Sequence, residues 1–173
     1  STPTITPQGP TTFCQGNNNG LQGSTGDSYH WLPTNETSQY ISVNTTGTYQ
    51  FFTESSYGCL SDTTSLGITA LPLPAMPTIS SDGPTTFCED GDVTLTASLA
   101  PGCSYIWSNG ASTQSISVTE TGTYSVYVVD ANGCYSPNSA GEDVVVQTKP
   151  VLPYISAGGL TSFCPGGSVM LNG

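Results

Sequence analysis

Positive charge is almost absent from this chain. Lys149 is the only basic side chain, no arginine occurs, and the acidic residues leave a formal net charge of −11. Charged residues of either sign make up only 8% of the 173 positions, against roughly 25% in ordinary soluble domains. Nucleic-acid binding needs a Lys/Arg footprint that displaces counterions from phosphates, so that class is excluded. An anionic membrane surface would repel the chain for the same reason. Long apolar runs are missing too: none approaches the ~18 residues of a membrane span, so no membrane insertion is expected in this segment. No signal peptide is visible, which in a sequence opening at Ser1 bears little on secretion. The six cysteines include no CxxC or Cys/His cluster, and His30 is the single histidine. Zinc is thereby disfavoured, and no metal or other cofactor is expected. Disulfides become the leading use of the cysteines, which implies an oxidising compartment.

What is present is repetition. PTITPQGPTTFC (Pro3 to Cys14) recurs as PTISSDGPTTFC (Pro77 to Cys88) and, more loosely, as PYISAGGLTSFC (Pro153 to Cys164), at offsets of 74 and then 76 residues. Inside the unit, YHW (Tyr29 to Trp31) matches YIW (Tyr105 to Trp107). QYISVNTTGTYQFF (Gln39 to Phe52) matches QSISVTETGTYSVY (Gln114 to Tyr127), and YGC (Tyr57 to Cys59) matches NGC (Asn132 to Cys134). Matches in one order at nearly constant offset define a repeat of about 75 residues. The expected units are residues 1–73, residues 74–149 and the opening of a third over 150–173, read as cut off at Gly173.

Each unit reads as all-β. Val93, Leu95 and Ala97 alternate with polar residues, as do Tyr105 and Trp107, Ile116 and Val118, and then Tyr124, Val126 and Val128. That period of two belongs to half-buried strands, and no 3.6-residue period survives the glycines and β-branched residues. Asn132-Gly133 signals a hairpin, and a last strand is expected around Val144 to Val146. About seven short strands around a central Trp describe an immunoglobulin-like β-sandwich, here in tandem. The sandwiches are predicted over about Pro3–Leu71 and Ala75–Gln147, with a third begun near Pro153. Tyr49 and Tyr124, each after Gly-Thr, stand where a tyrosine corner belongs, and Trp31 and Trp107 read as core fillers. One stretch departs from the pattern. Where the second unit has DVTLTAS, the first has GNNNGLQGS with only Leu21 as an apolar anchor, which predicts a short, bulged or irregular strand. LPLPAMP (Leu71 to Pro77) and KPVLP (Lys149 to Pro153) join the units, and such proline-rich joints act as semi-rigid spacers.

GPTTFC, Y-x-W, Q-x-I-S-V, T-G-T-Y and N-G-C, in that order, resemble the immunoglobulin-like repeats of giant cell-surface adhesins of the Bacteroidota. These include SprB-type gliding-motility adhesins and related type IX-secreted surface proteins. The resemblance covers essentially the whole chain. It implies secretion to the cell surface and repeats that serve as an adhesive stalk or filament in adhesion or gliding. The partners it implies are neighbouring repeats, other copies in a filament, and surface glycans or a substratum.

The cysteines leave two pairings open. Cys14 to Cys59 and Cys88 to Cys134 are 45 and 46 residues apart, which suits one bridge within each repeat. In a sandwich, however, the first cysteine precedes strand B at the pole where the chain leaves, and the second follows strand F at the opposite pole. A bridge tolerates only ~4.4–6.8 Å between Cα atoms, so Cys14 to Cys134, between neighbours, competes. Cys103 has no counterpart in the first unit and could reach Cys134 within its own; Cys164 opens the third.

Other candidate sites are weak. Glu89, Asp90 and Asp92 could offer oxygens to calcium, but their counterparts Gln15 and Asn17 are neutral, so a solvated turn is expected. Asn35-Glu36-Thr37 and Asn44-Thr45-Thr46 fit the N-glycosylation sequon, which means little in a bacterial protein. Asp62-Thr63-Thr64 resembles the O-glycosylation motif of Bacteroidota, with Thr63 as acceptor. His30 has no marked serine or carboxylate partner, and its counterpart is Ile106, so no catalytic residue is expected and the chain is read as no enzyme. The alternative function is a spacer or glycan-binding accessory module of a secreted multidomain hydrolase.

Overall fold

The computed structural model describes residues 2–173, and every regular element among them is a strand. In the first unit these are β1 (Ile5–Pro7), β2 (Thr12–Cys14), β3 (Asn19–Gly23), β4 (Ser28–Leu32), β5 (Tyr40–Val43), β6 (Gly47–Glu54) and β7 (Thr64–Leu71). They form two sheets, β1-β3-β5 and β2-β7-β6-β4. All pairings are antiparallel except β2 with β7, which is parallel. That is an immunoglobulin-like sandwich: the chain crosses between layers after β1, β2, β3, β4 and β5, and closes with the β6–β7 hairpin.

The second unit repeats the plan with β8 (Ile79–Ser81), β9 (Thr86–Cys88), β10 (Val93–Ala97), β11 (Ser104–Trp107), β12 (Ser115–Val118), β13 (Gly122–Tyr124), β14 (Val126–Val129) and β15 (Glu142–Gln147). One layer is β8-β10-β12; the other is β9-β15-β13 together with β11-β14. Where the first unit has the continuous β6, this layer breaks at Ser125. The cause lies in the segment facing β14. Pro137 cannot donate to a ladder, and two serine hydroxyls stand in for backbone carbonyls. Ser136 Oγ accepts the Val128 N–H and Ser139 Oγ accepts the Val126 N–H, both at 3.0 Å. Past the second unit, β16 (Ser156–Ala157) and β17 (Leu171–Asn172) form a short antiparallel pair.

Two separate cores follow from the period-two faces. Leu21, Trp31, Ile41, Val43, Tyr49, Phe51 and Ile68 form the first. In the second, Val93, Leu95, Ala97, Tyr105, Trp107, Ile116 and Val118 pack with Val126, Val128 and Val144. Both tryptophans are core fillers, 0% and 2% exposed. Each indole N–H finds a backbone carbonyl, Ser38 at 2.9 Å and Thr113 at 2.8 Å, as a buried indole requires. The tyrosine corner is present twice: the Tyr49 hydroxyl reaches the Thr45 carbonyl at 3.2 Å and the Tyr124 hydroxyl the Glu120 carbonyl at 3.1 Å. Tyr49 is buried and Tyr124 only half-buried. Tyr49→Phe is therefore expected to destabilise its repeat by about 1 kcal/mol and Tyr124→Phe by less, measured by denaturant unfolding.

The expectation of an irregular strand over GNNNGLQGS is corrected. Strand β3 is five residues long with alternating burial, the same as β10. Two compensations make it regular. Asn19 takes the buried place of Val93, and its side-chain amide donates to the Gly9 and Pro10 carbonyls at 3.2 and 3.0 Å, so no polar group is left unpaired. Gly23 takes the place of Ala97 because Phe51, the counterpart of Val126, fills that volume. A Cβ on Gly23 would stand 2.2 Å from the Phe51 ring.

Candidate functional site: a disulfide joint between repeats

Strand β2 ends at Cys14, directly beside Leu71, where β7 ends and the chain leaves the first unit. Cys59 follows β6, which runs antiparallel to β7, and so lies past the other end of the sheet. The eight residues of β7 span about 27 Å at ~3.4 Å each, far beyond the reach of a disulfide. A bridge within the repeat is therefore sterically closed. In the second unit, β11 opens opposite Val129, the last residue of β14. The turn carrying Cys134 follows directly and lies at the pole where the chain enters.

These two poles meet. Cys14 and Cys134 form a disulfide with Cα atoms 5.5 Å apart and a sequence separation of 120. The pairing within repeats, Cys14–Cys59 and Cys88–Cys134, is thus overturned, as is a Cys103–Cys134 bridge. Cys59, Cys88, Cys103 and Cys164 are free thiols; all are exposed except Cys103, which is half-buried against the second core.

Both halves of the joint are shaped by backbone hydrogen bonds. On one side, the Gln15 N–H bonds the Leu71 carbonyl at 2.8 Å, and the Asn17 N–H closes a turn on the Cys14 carbonyl at 3.2 Å. On the other, the Cys134 carbonyl accepts the Asp130 N–H at 3.1 Å, while Asp130 Oδ1 accepts the N–H groups of Asn132 and Cys134, each at 2.9 Å. Gly133 occupies the left-handed region, φ 78°, which this turn requires. The Cys134 N–H, with help from Asn132, holds the Asp130 carboxyl below its usual value of 3.8. Asp82, whose Oδ1 accepts the Thr94 N–H at 2.8 Å, is lowered chiefly by that bond. Since both folded-state values are depressed, these carboxylates favour the native state above pH ~4, and the contribution disappears as pH falls through the folded values. Accordingly, amide exchange at Cys134 is expected to accelerate on acidification below pH ~4 beyond the intrinsic trend, and in Asp130→Ala at neutral pH.

Beside the joint, Pro74 to Pro77 of the linker and Ser98 to Pro101 line a groove of about 290 Å³ with Cys103 on its wall. Its rim is apolar, with Met76 and Leu99 exposed.

The remaining candidates stand apart from this joint. Among the described residues, no group of three or more His, Cys, Asp or Glu is placed to hold a metal ion. Asp90 pairs with Lys149, and Asp92 accepts the Ser117 hydroxyl at 2.9 Å. His30 stacks on Phe52 with ring centroids 4.8 Å apart, and its Nε2 lies 3.1 Å from Glu54 Oε2. Thr63, Asn35 and Asn44 are exposed. The groove between the linker and Ser98 to Pro101 had no signal in the sequence, whereas the pole carrying Cys59 was marked by the match of YGC to NGC.

No protein-family description matches the chain, and no curated protein is similar to it in sequence. Among solved structures, similarity extends to the ligand-binding domain of human OSCAR, at 14% identity and a TM-score of 0.36, over 83% of this chain and 98% of that one. Fibronectin(III)-like modules of Clostridium thermocellum CbhA match at 13% identity and a TM-score of 0.36, over 87% and 98%. The ectodomain of mouse nectin-like molecule 4, with three immunoglobulin domains, matches at 9% identity and a TM-score of 0.34, over 88% and 66%. At these values the likeness carries no assignment, and the strand order above is what makes the chain a tandem of immunoglobulin-like sandwiches.

Proposed function

We propose that this chain is an extracellular spacer whose repeats are covalently locked end to end, a stalk or filament segment of a bacterial surface adhesin. The observation that carries the reading is the Cys14–Cys134 disulfide, which ties the exit of one sandwich to the entrance of the next. A segment under tension gains from such a bridge, because force then passes from Cys14 to Cys134 without loading the chain between them. The bridge also requires an oxidising compartment, in keeping with a location outside the cell. The adhesin identity rests on the motif resemblance, and the O-linked glycan expected on Thr63 belongs to the same reading. Both tryptophan rings are buried and offer no stacking platform, so stacking on a surface glycan would fall to exposed tyrosines such as Tyr57 and Tyr135.

Single-molecule extension between the two ends tests the mechanical role. With the bridge intact, the 120-residue separation enclosed by the disulfide cannot extend. Reductant should release it, adding about 400 Å of contour length at ~3.3–3.6 Å per residue. Equal contour lengths before and after reduction would defeat the proposal.

A further inference from the structure

Cys59 and Cys88 are free and exposed, yet each occupies the position that is bonded in the sister repeat. Cys59 stands where Cys134 does, in a turn with the same bonds: the Ser55 N–H reaches the Cys59 carbonyl at 2.9 Å, and the Cys59 N–H reaches Ser55 Oγ at 3.1 Å. Ser55 thus does for Cys59 what Asp130 does for Cys134, and Gly58 repeats the left-handed Gly133 with φ 81°. Cys88 stands where Cys14 does. The Glu89 N–H bonds the Gln147 carbonyl at 2.9 Å and the Gly91 N–H the Cys88 carbonyl at 3.1 Å, as at Gln15 and Asn17. Both halves of a second joint are therefore built, one at each end of the two-repeat unit.

We infer that Cys88 is the donor half and Cys59 the acceptor half of further joints of the Cys14–Cys134 type, and that their partner is another repeat of the same kind, abutting pole to pole. The repeat that opens near Pro153 is the tethered neighbour of Cys88, and a second copy of this chain supplies the same pole in trans, with its Cys59 meeting Cys88 of the copy before it. The two thiols lose two protons and two electrons as the S–S bond forms. A small-molecule disulfide such as oxidised glutathione accepts them through exchange and leaves as two thiols. The polarity is built in, because the two cysteines sit on unlike poles with unlike neighbours, which makes the interface heterologous and open-ended. The inference depends on the geometry of the joint and not on the adhesin identity, so either can fail alone.

The test uses the chain as it stands, incubated at high protein concentration with a glutathione redox buffer, trapped with an alkylating agent and mapped by non-reducing peptide analysis. A ladder of multimers is expected in which Cys59–Cys88 links exceed either like-with-like link by about tenfold or more, whereas random pairing would make them only twice as frequent. Cys88→Ser should abolish the ladder while leaving the Cys14–Cys134 link and the thermal midpoint unchanged, since Cys88 is exposed. Random pairing, a Cys59–Cys88 link within one copy, preferential use of Cys103 or Cys164, or monomer alone would each overturn the inference.

Discussion

Reducing the Cys14–Cys134 bridge is expected to lower the thermal midpoint of the chain by about 5–10 °C, from a stabilisation of about 2–4 kcal/mol. The loop it closes spans 120 residues, for which chain entropy alone sets a ceiling of roughly 5 kcal/mol. Few other strong constraints are available. Each repeat buries a small core, and a single lysine faces all the carboxylates, its one ion pair with Asp90 being exposed and weak. The paired variant Cys14→Ser/Cys134→Ser should reproduce the loss without reductant, and calorimetry should resolve two transitions in place of one as the sandwiches uncouple. A chelator should leave the midpoint where it was. An unchanged midpoint in the paired variant would show that the bridge contributes nothing to folding.

Gly23→Ala is the second change expected to act strongly, at about 2–3 kcal/mol. Its Cβ would lie 2.2, 2.4 and 2.7 Å from three atoms of the Phe51 ring. Phe51 cannot yield: it is fully buried, 4.6 Å from the Trp31 ring centroid and stacked with Tyr29 at 6.3 Å. The second repeat solves the same contact with Ala97 and Val126. Phe51→Val alone should open a cavity and cost about 2–3 kcal/mol. Combined with Gly23→Ala it recreates the sister pair, so the double variant should be more stable than the sum of the singles by about 1–3 kcal/mol. Denaturant unfolding of all four proteins measures that coupling; strict additivity would mean that the two residues do not compete for one volume.

Much of this architecture was legible before any coordinate. Alternation is a local property of strands, so Val93-Leu95-Ala97, Tyr105-Trp107 and Ile116-Val118 announced their buried faces directly. Gly-Thr-Tyr announced the corner for a similar reason, since its hydrogen bond spans only four residues. The stretch around Leu21 was misread because hydrophobicity alone cannot report that an asparagine will find two carbonyls, or that a glycine is making room for a phenylalanine. Both facts belong to the opposite layer and to a neighbouring loop.

The cysteine pairing marks the boundary between the two kinds of knowledge. Spacing alone allowed Cys14 to pair with Cys59, 45 residues away, as readily as with Cys134, because distance along a chain says little about distance in space. Strand direction removed the first possibility, setting Cys14 and Cys59 beyond opposite ends of the sheet. The second was decided only by the tertiary structure, in which the exit pole of one sandwich sits against the entrance pole of the next. The composition and the period-two repeat, by themselves, determined an all-β chain of like units that needed covalent help. Which units the cysteines would join depended on how folded surfaces abut, and no local pattern encodes that.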